Sequence, residues 1–180
     1  MICNKRLNVN DVVALEEVRR IYELSFPIDE RREFASLVEL LKSKRNFSLE
    51  AICRGDDVIG MLTSWQLNEW RYIEHFAIDA SMRGQGVGRS VLKTFLMQQS
   101  TPVVLEVEPP VDDWSVRRVA FYHSLGFELH SNYKYVQPPY GEGLNAIELC
   151  LMTYRAPLDC DMDTPAHLLY KQVYGVDCSD

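Results

Sequence analysis

The sequence predicts an α/β (α+β) chain: a mixed, mostly antiparallel twisted sheet flanked by helices, with a helical extension at the C-terminus. Three observations carry this expectation. Strand-like segments at 47–54, 58–66 and 71–78 follow one another across short turns, which makes hairpins and antiparallel pairs. The strand-like run Val103-Val104-Leu105-Glu106-Val107 instead follows a segment of helical period, so it arrives by a crossover and makes the sheet mixed. A last helical segment, 165–174, lies beyond the final strand.

Each element has a local reason. Asn10 or Asp11 can cap a first helix whose apolar positions Val12, Leu15, Val18, Ile21 and Tyr22 keep a helical period. It stops near Ser25, because Phe26-Pro27 cannot continue it. A second amphipathic helix is expected over 29–43, burying Phe34, Leu37, Val38 and Leu41. Gly55-Asp56-Asp57 turns strand 47–54 into its partner 58–66, and Asn68-Glu69 leads into strand 71–78. A glycine-rich run and a helix over 88–99 follow. Pro102 precedes strand 103–107 and Pro109-Pro110 ends it. A helix over 114–125 is closed by Gly126. Strands at 133–137 and 147–154 flank a Pro/Gly-rich loop, 138–143. Thr164 and Pro165 suit the cap and first position of the last helix. With no internal repeat or low-complexity linker, residues 1–155 read as one domain. Residues 156–180 read as an extension packed on that domain or on a partner.

Composition narrows the function. The chain has 180 residues, 47% of them hydrophobic and 25% charged, which suits a globular protein. A net charge of −7 argues against a nucleic-acid partner, which would need a basic face. No apolar run approaches the roughly 18 residues of a membrane span, and the N-terminus shows no secretory pattern. The five cysteines, Cys3, Cys53, Cys150, Cys160 and Cys178, are scattered, with no CxxC and no histidine at zinc-ligand spacing. No metal site is expected, and the compartment reads as reducing and cytoplasmic.

Chemistry concentrates in Arg83-Gly84-Gln85-Gly86-Val87-Gly88, which follows a strand ending at Ile78 and opens a helix. Three glycines in five residues bare the backbone at a helix N-terminus, where amides and the helix dipole favour a phosphate. A dinucleotide fingerprint does not fit. Its third glycine is misplaced here and the run follows three strands, although Glu106 stands about 20 positions on. A P-loop fails for want of Gly-Lys-Ser/Thr. The plainest alternative is a glycine-rich helix start with no ligand.

Two segments decide against that alternative. Arg83-x-x-Gly86-x-Gly88 resembles the acetyl-coenzyme A motif of the GNAT superfamily of N-acetyltransferases, placed after His75-Phe76-Ala77-Ile78. Downstream, Arg117-Arg118-Val119-Ala120-Phe121-Tyr122-His123-Ser124-Leu125-Gly126-Phe127 is similar to that family's Arg-Arg-x-x-Phe-Tyr-x-x-Leu-Gly-Phe segment. The resemblance covers about residues 1–154 and implies a GNAT-like sheet with acetyl-CoA as co-substrate. It implies that pyrophosphate lies on the amides of Arg83, Gly84, Gln85, Gly86, Val87 and Gly88, extended by Arg89. The main chain of Phe76, Ala77 and Ile78 would bond pantetheine. Many members carry an asparagine where this chain has Ser115, so a coenzyme contact at Ser115 departs from the pattern; either Arg117 or Arg118 compensates by reaching a phosphate, or both form a solvated or salt-bridged helix face.

Acetyl transfer to an amine needs the amine deprotonated and the leaving thiolate protonated. An alkyl ammonium of pKa roughly 10 is only about 0.1–1% neutral near pH 7.5, so a carboxylate acting through water removes a real obstacle. By the resemblance Glu74 is that base and Tyr122 the acid. His75 is an alternative base, expected on the opposite strand face from Glu74. Without the resemblance, Glu74 is an exposed strand carboxylate and Phe121-Tyr122 a pair of core aromatics. Loops 26–30, 65–70 and 137–140 are expected around an acceptor, most simply a small-molecule amine. A protein or peptide amine and a non-catalytic acyl-CoA sensor are the competing readings. The apolar positions Leu168, Leu169 and Val173 leave a homodimer open.

Overall fold

A computed structural model describes residues 2–176, which fall into two compact units. The first holds the residues up to Trp65 together with Ile73–Gln98; the second holds Gln66–Tyr72 and the residues from Gln99 on. Cys178 and the end of the expected extension lie outside the described residues.

In the first unit, β2 (Phe47–Arg54) and β3 (Asp57–Leu67) form the expected antiparallel hairpin. Gly55 makes its turn at φ 62°. The pairing skips Ile59: Ile52 faces Gly60 and Cys53 faces Val58, a bulge on β3. The Ile59 carbonyl there accepts the Asp79 N–H at 2.9 Å, which fixes the chain as it leaves β4 (Trp70–Ile78). Gly60 also lets the strands approach, since a Cβ there would stand 2.6 Å from the Ala77 carbonyl oxygen. The structure adds β1 (Ile2–Arg6), antiparallel to β2 from Ile2↔Arg54 to Arg6↔Glu50. No apolar alternation announces it, because all its residues but Ile2 are exposed.

Helix α1 (Val12–Ser25) buries Leu15, Val18, Ile21 and Tyr22, whereas Val12 is exposed. It ends as expected, with Phe26 extended before Pro27. The helix expected over 29–43 is divided: a 3₁₀ turn (Ile28–Glu30), an extended Arg31, and then α2 (Phe34–Ser43). Tertiary bonds override the helical pattern here. The Arg32 N–H donates to the Tyr22 hydroxyl at 2.8 Å, and Arg31 Nε donates to the Phe26 carbonyl at 3.1 Å. Helix α3 (Val87–Met97) packs Val87 and Val91 with Ile52, Ile59 and Ile78.

In the second unit, Arg71 near the start of β4 donates its N–H to the Pro102 carbonyl at 2.8 Å, just before β5 (Val103–Val107). Strand β5 pairs along its whole length with β8 (Ile147–Tyr154), antiparallel from Val103↔Tyr154 to Val107↔Cys150. Strand β8 also pairs with β6 (Glu128–Leu129), too short to show a period, and with β7 (Tyr135–Gln137). Helix α4 (Asp113–His123) opens on a capping box, and Gly126 at φ 95° turns the chain after it. Helix α5 (Asp163–Leu168) starts one residue before Thr164 and runs on as a π-helical turn, Leu169–Tyr174. Cys53 and Cys150 are buried, free thiols in the packing.

Candidate active site

The glycine turn is shaped by backbone geometry. Gly84 and Gly86 both stand at φ 75°, a region that side chains disfavour, and nothing lies within 4 Å of where their Cβ atoms would be. Gly86 caps α3 from that left-handed conformation, so the helix starts at Val87, one residue earlier than expected. The amides of Val87, Gly88 and Arg89 then have no acceptor within the helix and carry the positive end of its dipole. Arg83, Gly84, Gln85 and Gly86 are exposed.

The turn is held from behind. Arg83 Nε donates to the Ile78 carbonyl at 2.9 Å, and Gln85 Nε2 to the Ser81 carbonyl at 3.2 Å. Asp79 accepts from the Ser81 N–H at 3.0 Å, its hydroxyl at 2.7 Å, and Arg20 Nη2 at 2.7 Å. The Ser81 bonds and then Arg20 lower the Asp79 carboxyl to about 2. Phe76, Ala77 and Ile78 end β4 directly before this turn.

Glu74 is not an exposed carboxylate. Its side chain is fully buried, with Oε1 accepting from Arg32 Nε at 3.0 Å and Oε2 from the Trp65 indole at 2.7 Å. Burial alone would raise its pKa, but the Arg32 guanidinium and the Trp65 bond outweigh it and hold the carboxyl below its ordinary range. His75 lies on the same side: its Nδ1 comes within 4.0 Å of Glu74 Oε2. This corrects the expected opposite facing. Thr63 and Trp65 share one face of β3, yet they meet the adjacent residues His75 and Glu74, so β4 departs from strict alternation here.

His75 has one tautomer. The Glu30 carbonyl at 3.1 Å can only accept, so Nε2 carries the proton and Nδ1 accepts from the Thr63 hydroxyl at 3.1 Å. Burial lowers its pKa and keeps it neutral. Phe26 and Tyr22 set their rings edge-on to the imidazole, 4.8 and 4.9 Å away. Residues 26–30 and Trp65, two of the expected acceptor segments, thus converge on Glu74 and His75.

In the second unit, Tyr122 lies against Phe121 and Phe127, with ring centroids 5.3 and 5.6 Å away. Among the described residues none bonds its hydroxyl, and burial pushes the phenol up to about 12, with Arg118 pulling it down. Ser115 does a structural job instead of the expected coenzyme contact: its hydroxyl accepts the N–H groups of Val111 and Asp112 at 3.1 Å in the α4 cap. Arg117 sits over the Trp114 ring of its own helix at 5.6 Å, and Arg118 pairs with Glu108, which stands between β5 and α4.

The same unit holds a group that motif reading misses. Glu106 accepts from the Tyr72 hydroxyl at 2.6 Å, from the Tyr135 hydroxyl, and from the Tyr174 hydroxyl at 2.9 and 3.1 Å. Tyr140, in the third expected acceptor segment, brings its hydroxyl to within 3.5 Å of that of Tyr174. The lone carboxylate within Val103–Val107 is the only sequence signal of this cluster.

Among the described residues, no group of three or more His, Cys, Asp or Glu is placed to hold a metal ion, and no helix is long and apolar enough to cross a membrane. Comparison with curated proteins gives no match. Among solved structures, a Bacteroides thetaiotaomicron protein assigned to the GNAT family as an acetyltransferase superposes at a TM-score of 0.91. It shares 34% identity over 97% of this chain and 99% of its own. A spermidine N-acetyltransferase chimera from Vibrio cholerae and hSSAT has the same fold at a TM-score of 0.64, with 15% identity over 85% of this chain and 94% of its own. The ribosomal-protein-S18-alanine N-acetyltransferase of Escherichia coli shares it at 0.59, with 16% identity over 90% of this chain and 100% of its own. These matches give the mixed-sheet α/β class that the sequence predicts. The acetyltransferase (GNAT) family model matches residues 15–127, and with it the 34% identity along nearly the whole chain. This chain belongs to the GNAT family, whose acetyltransferases take acetyl-CoA as co-substrate.

Proposed function

We propose that this chain moves the acetyl group of acetyl-CoA to the primary amine of a small molecule, by direct attack in a ternary complex. The observation that carries the reading is the turn at 83–88: two glycines at φ 75° aim the first amides of α3 outward at an exposed surface. Pyrophosphate binds the amides from Gly84 to Arg89, since the Arg83 N–H is already given to the Ala80 carbonyl at 3.4 Å, and pantetheine bonds the main chain of Phe76, Ala77 and Ile78. The N–H groups supply recognition, so the Arg83 guanidinium is free to brace the Ile78 carbonyl.

Tyr122 gives its proton to the leaving sulfur, a role suited to a phenol that stays protonated at neutral pH. Glu74 draws the amine's proton off through water; held below the ordinary range, it is ionised wherever a primary amine can react. A spermidine enzyme and a ribosomal-protein enzyme share the fold at similar TM-scores, so the fold leaves the acceptor open. Aromatic and acidic side chains in segments 26–30 and 65–70, with Tyr140 in segment 137–140, favour a small cationic amine. Titration calorimetry with acetyl-CoA, followed by thiol release across a panel of amines, tests the reading. Acetyl-CoA should bind and at least one small amine should release thiol; absence of binding would overturn the proposal.

A further inference from the structure

We propose that Glu106, ringed by Tyr72, Tyr135 and Tyr174, is the site that binds the ammonium group of the acceptor. The inference rests on the acetyltransfer reading above and names the residues that recognise its second substrate. Glu106 is the one charged residue of a strand whose other four residues are buried and apolar. A carboxylate in such a place costs free energy, and three phenols from three different elements, β4, β7 and the π-helical turn, converge to satisfy it.

A phenol has a single proton. Once Tyr72, Tyr135 and Tyr174 direct theirs at Glu106, any further partner of those oxygens must be a donor. The cluster therefore offers negative charge and lone pairs, the complement of an ammonium with its three N–H bonds. Aromatic faces stand beside it: the rings of Tyr140 and Tyr174 lie 5.3 Å apart, and Tyr140 sits on the Pro/Gly-rich loop. Glu106, Tyr140 and Tyr174 are all half-buried. The class of ligand is a primary alkylammonium.

The test uses the full chain loaded with coenzyme A and titrated with n-butylammonium, with 1-butanol as the uncharged counterpart. Wild type should bind n-butylammonium and give no signal with 1-butanol. Glu106→Gln should weaken the amine by about 30-fold or more, the loss expected when one partner of a buried charge pair is neutralised. Tyr174→Phe keeps the ring and removes one bond to a charged group, so it should weaken the amine about 5-fold or more. Tyr174→Phe should melt somewhat lower but remain folded by circular dichroism, with coenzyme A affinity unchanged, so this variant decides the matter if Glu106→Gln fails to fold. No binding to wild type, equal binding to folded variants, or equal loss for the alcohol would overturn the assignment. Thiol release in the same samples separates the two proposals. Acetylation with unchanged amine affinity in the variants sinks only the site, whereas amine binding at Glu106 without thiol release sinks only the transferase reading.

Discussion

Tyr122 and Glu74 are tuned in opposite directions, and each carries its own prediction. With its phenol pushed up to about 12, Tyr122 holds its proton throughout the neutral range. Tyr122→Phe should lower kcat about 100-fold while acetyl-CoA affinity stays put, read by thiol release and calorimetry. Glu74 is held down chiefly by Arg32, so Glu74→Gln also removes the charge that faces a guanidinium only 14% exposed. The variant should lose about 3–5 kcal/mol of stability in denaturant titration, as well as turnover. Because the wild-type carboxylate is ionised well below neutrality, the pH profile of kcat/KM should rise only with the amine; an inflection between about pH 5 and 7 would speak against Glu74 as base. Both residues were legible through the motifs around them. Their partners were not: Arg32 lies 42 positions from Glu74, and only folding brings them together. Glu106 was legible as an odd carboxylate in an apolar strand, but its tyrosines come from positions 72, 135 and 174.

The elements show why some boundaries are written locally and others are not. Strands β2 and β5 match their apolar runs end to end, because burial on both sides leaves little freedom. Strand β1 is held by the main chain of β2 with four of its residues exposed, so composition says nothing about it. The segment before α2 has a helical pattern but follows the bonds offered by Tyr22 and Phe26. The glycine turn lies between these cases, since its glycines are explicit in sequence and only the structure shows that φ demands them. Gly86→Ala would put a Cβ into open space at φ 75°, costing roughly 1–2 kcal/mol of backbone strain. The start of α3 should relax and its amides turn aside. Calorimetry should find acetyl-CoA bound about 10-fold more weakly, with circular dichroism unchanged.

At the scale of the molecule, these groups make stability depend on pH in steps of known sign. His75 and His130 are held neutral by burial, so the unfolded chain binds more protons below about pH 6.5 and stability begins to fall there. Asp79, lowered to about 2, and Glu74 add stability above about pH 4 that is lost as acid protonates them. Tyr122 acts at the other end: above about pH 10 the unfolded phenol ionises first, and stability declines again. Urea titrations should therefore place the maximum between about pH 7 and 10. The family match stops at residue 127, but the second unit does not. Every residue of β5 finds its antiparallel partner on β8, at 150–154. The family model and mechanical completeness thus end at different places along this chain. A protein cut after residue 127 would bear the whole family signature and still leave β5 without β8, a bare edge open to any neighbouring strand. Light scattering should find that shortened protein clumping at concentrations where the full chain stays dispersed.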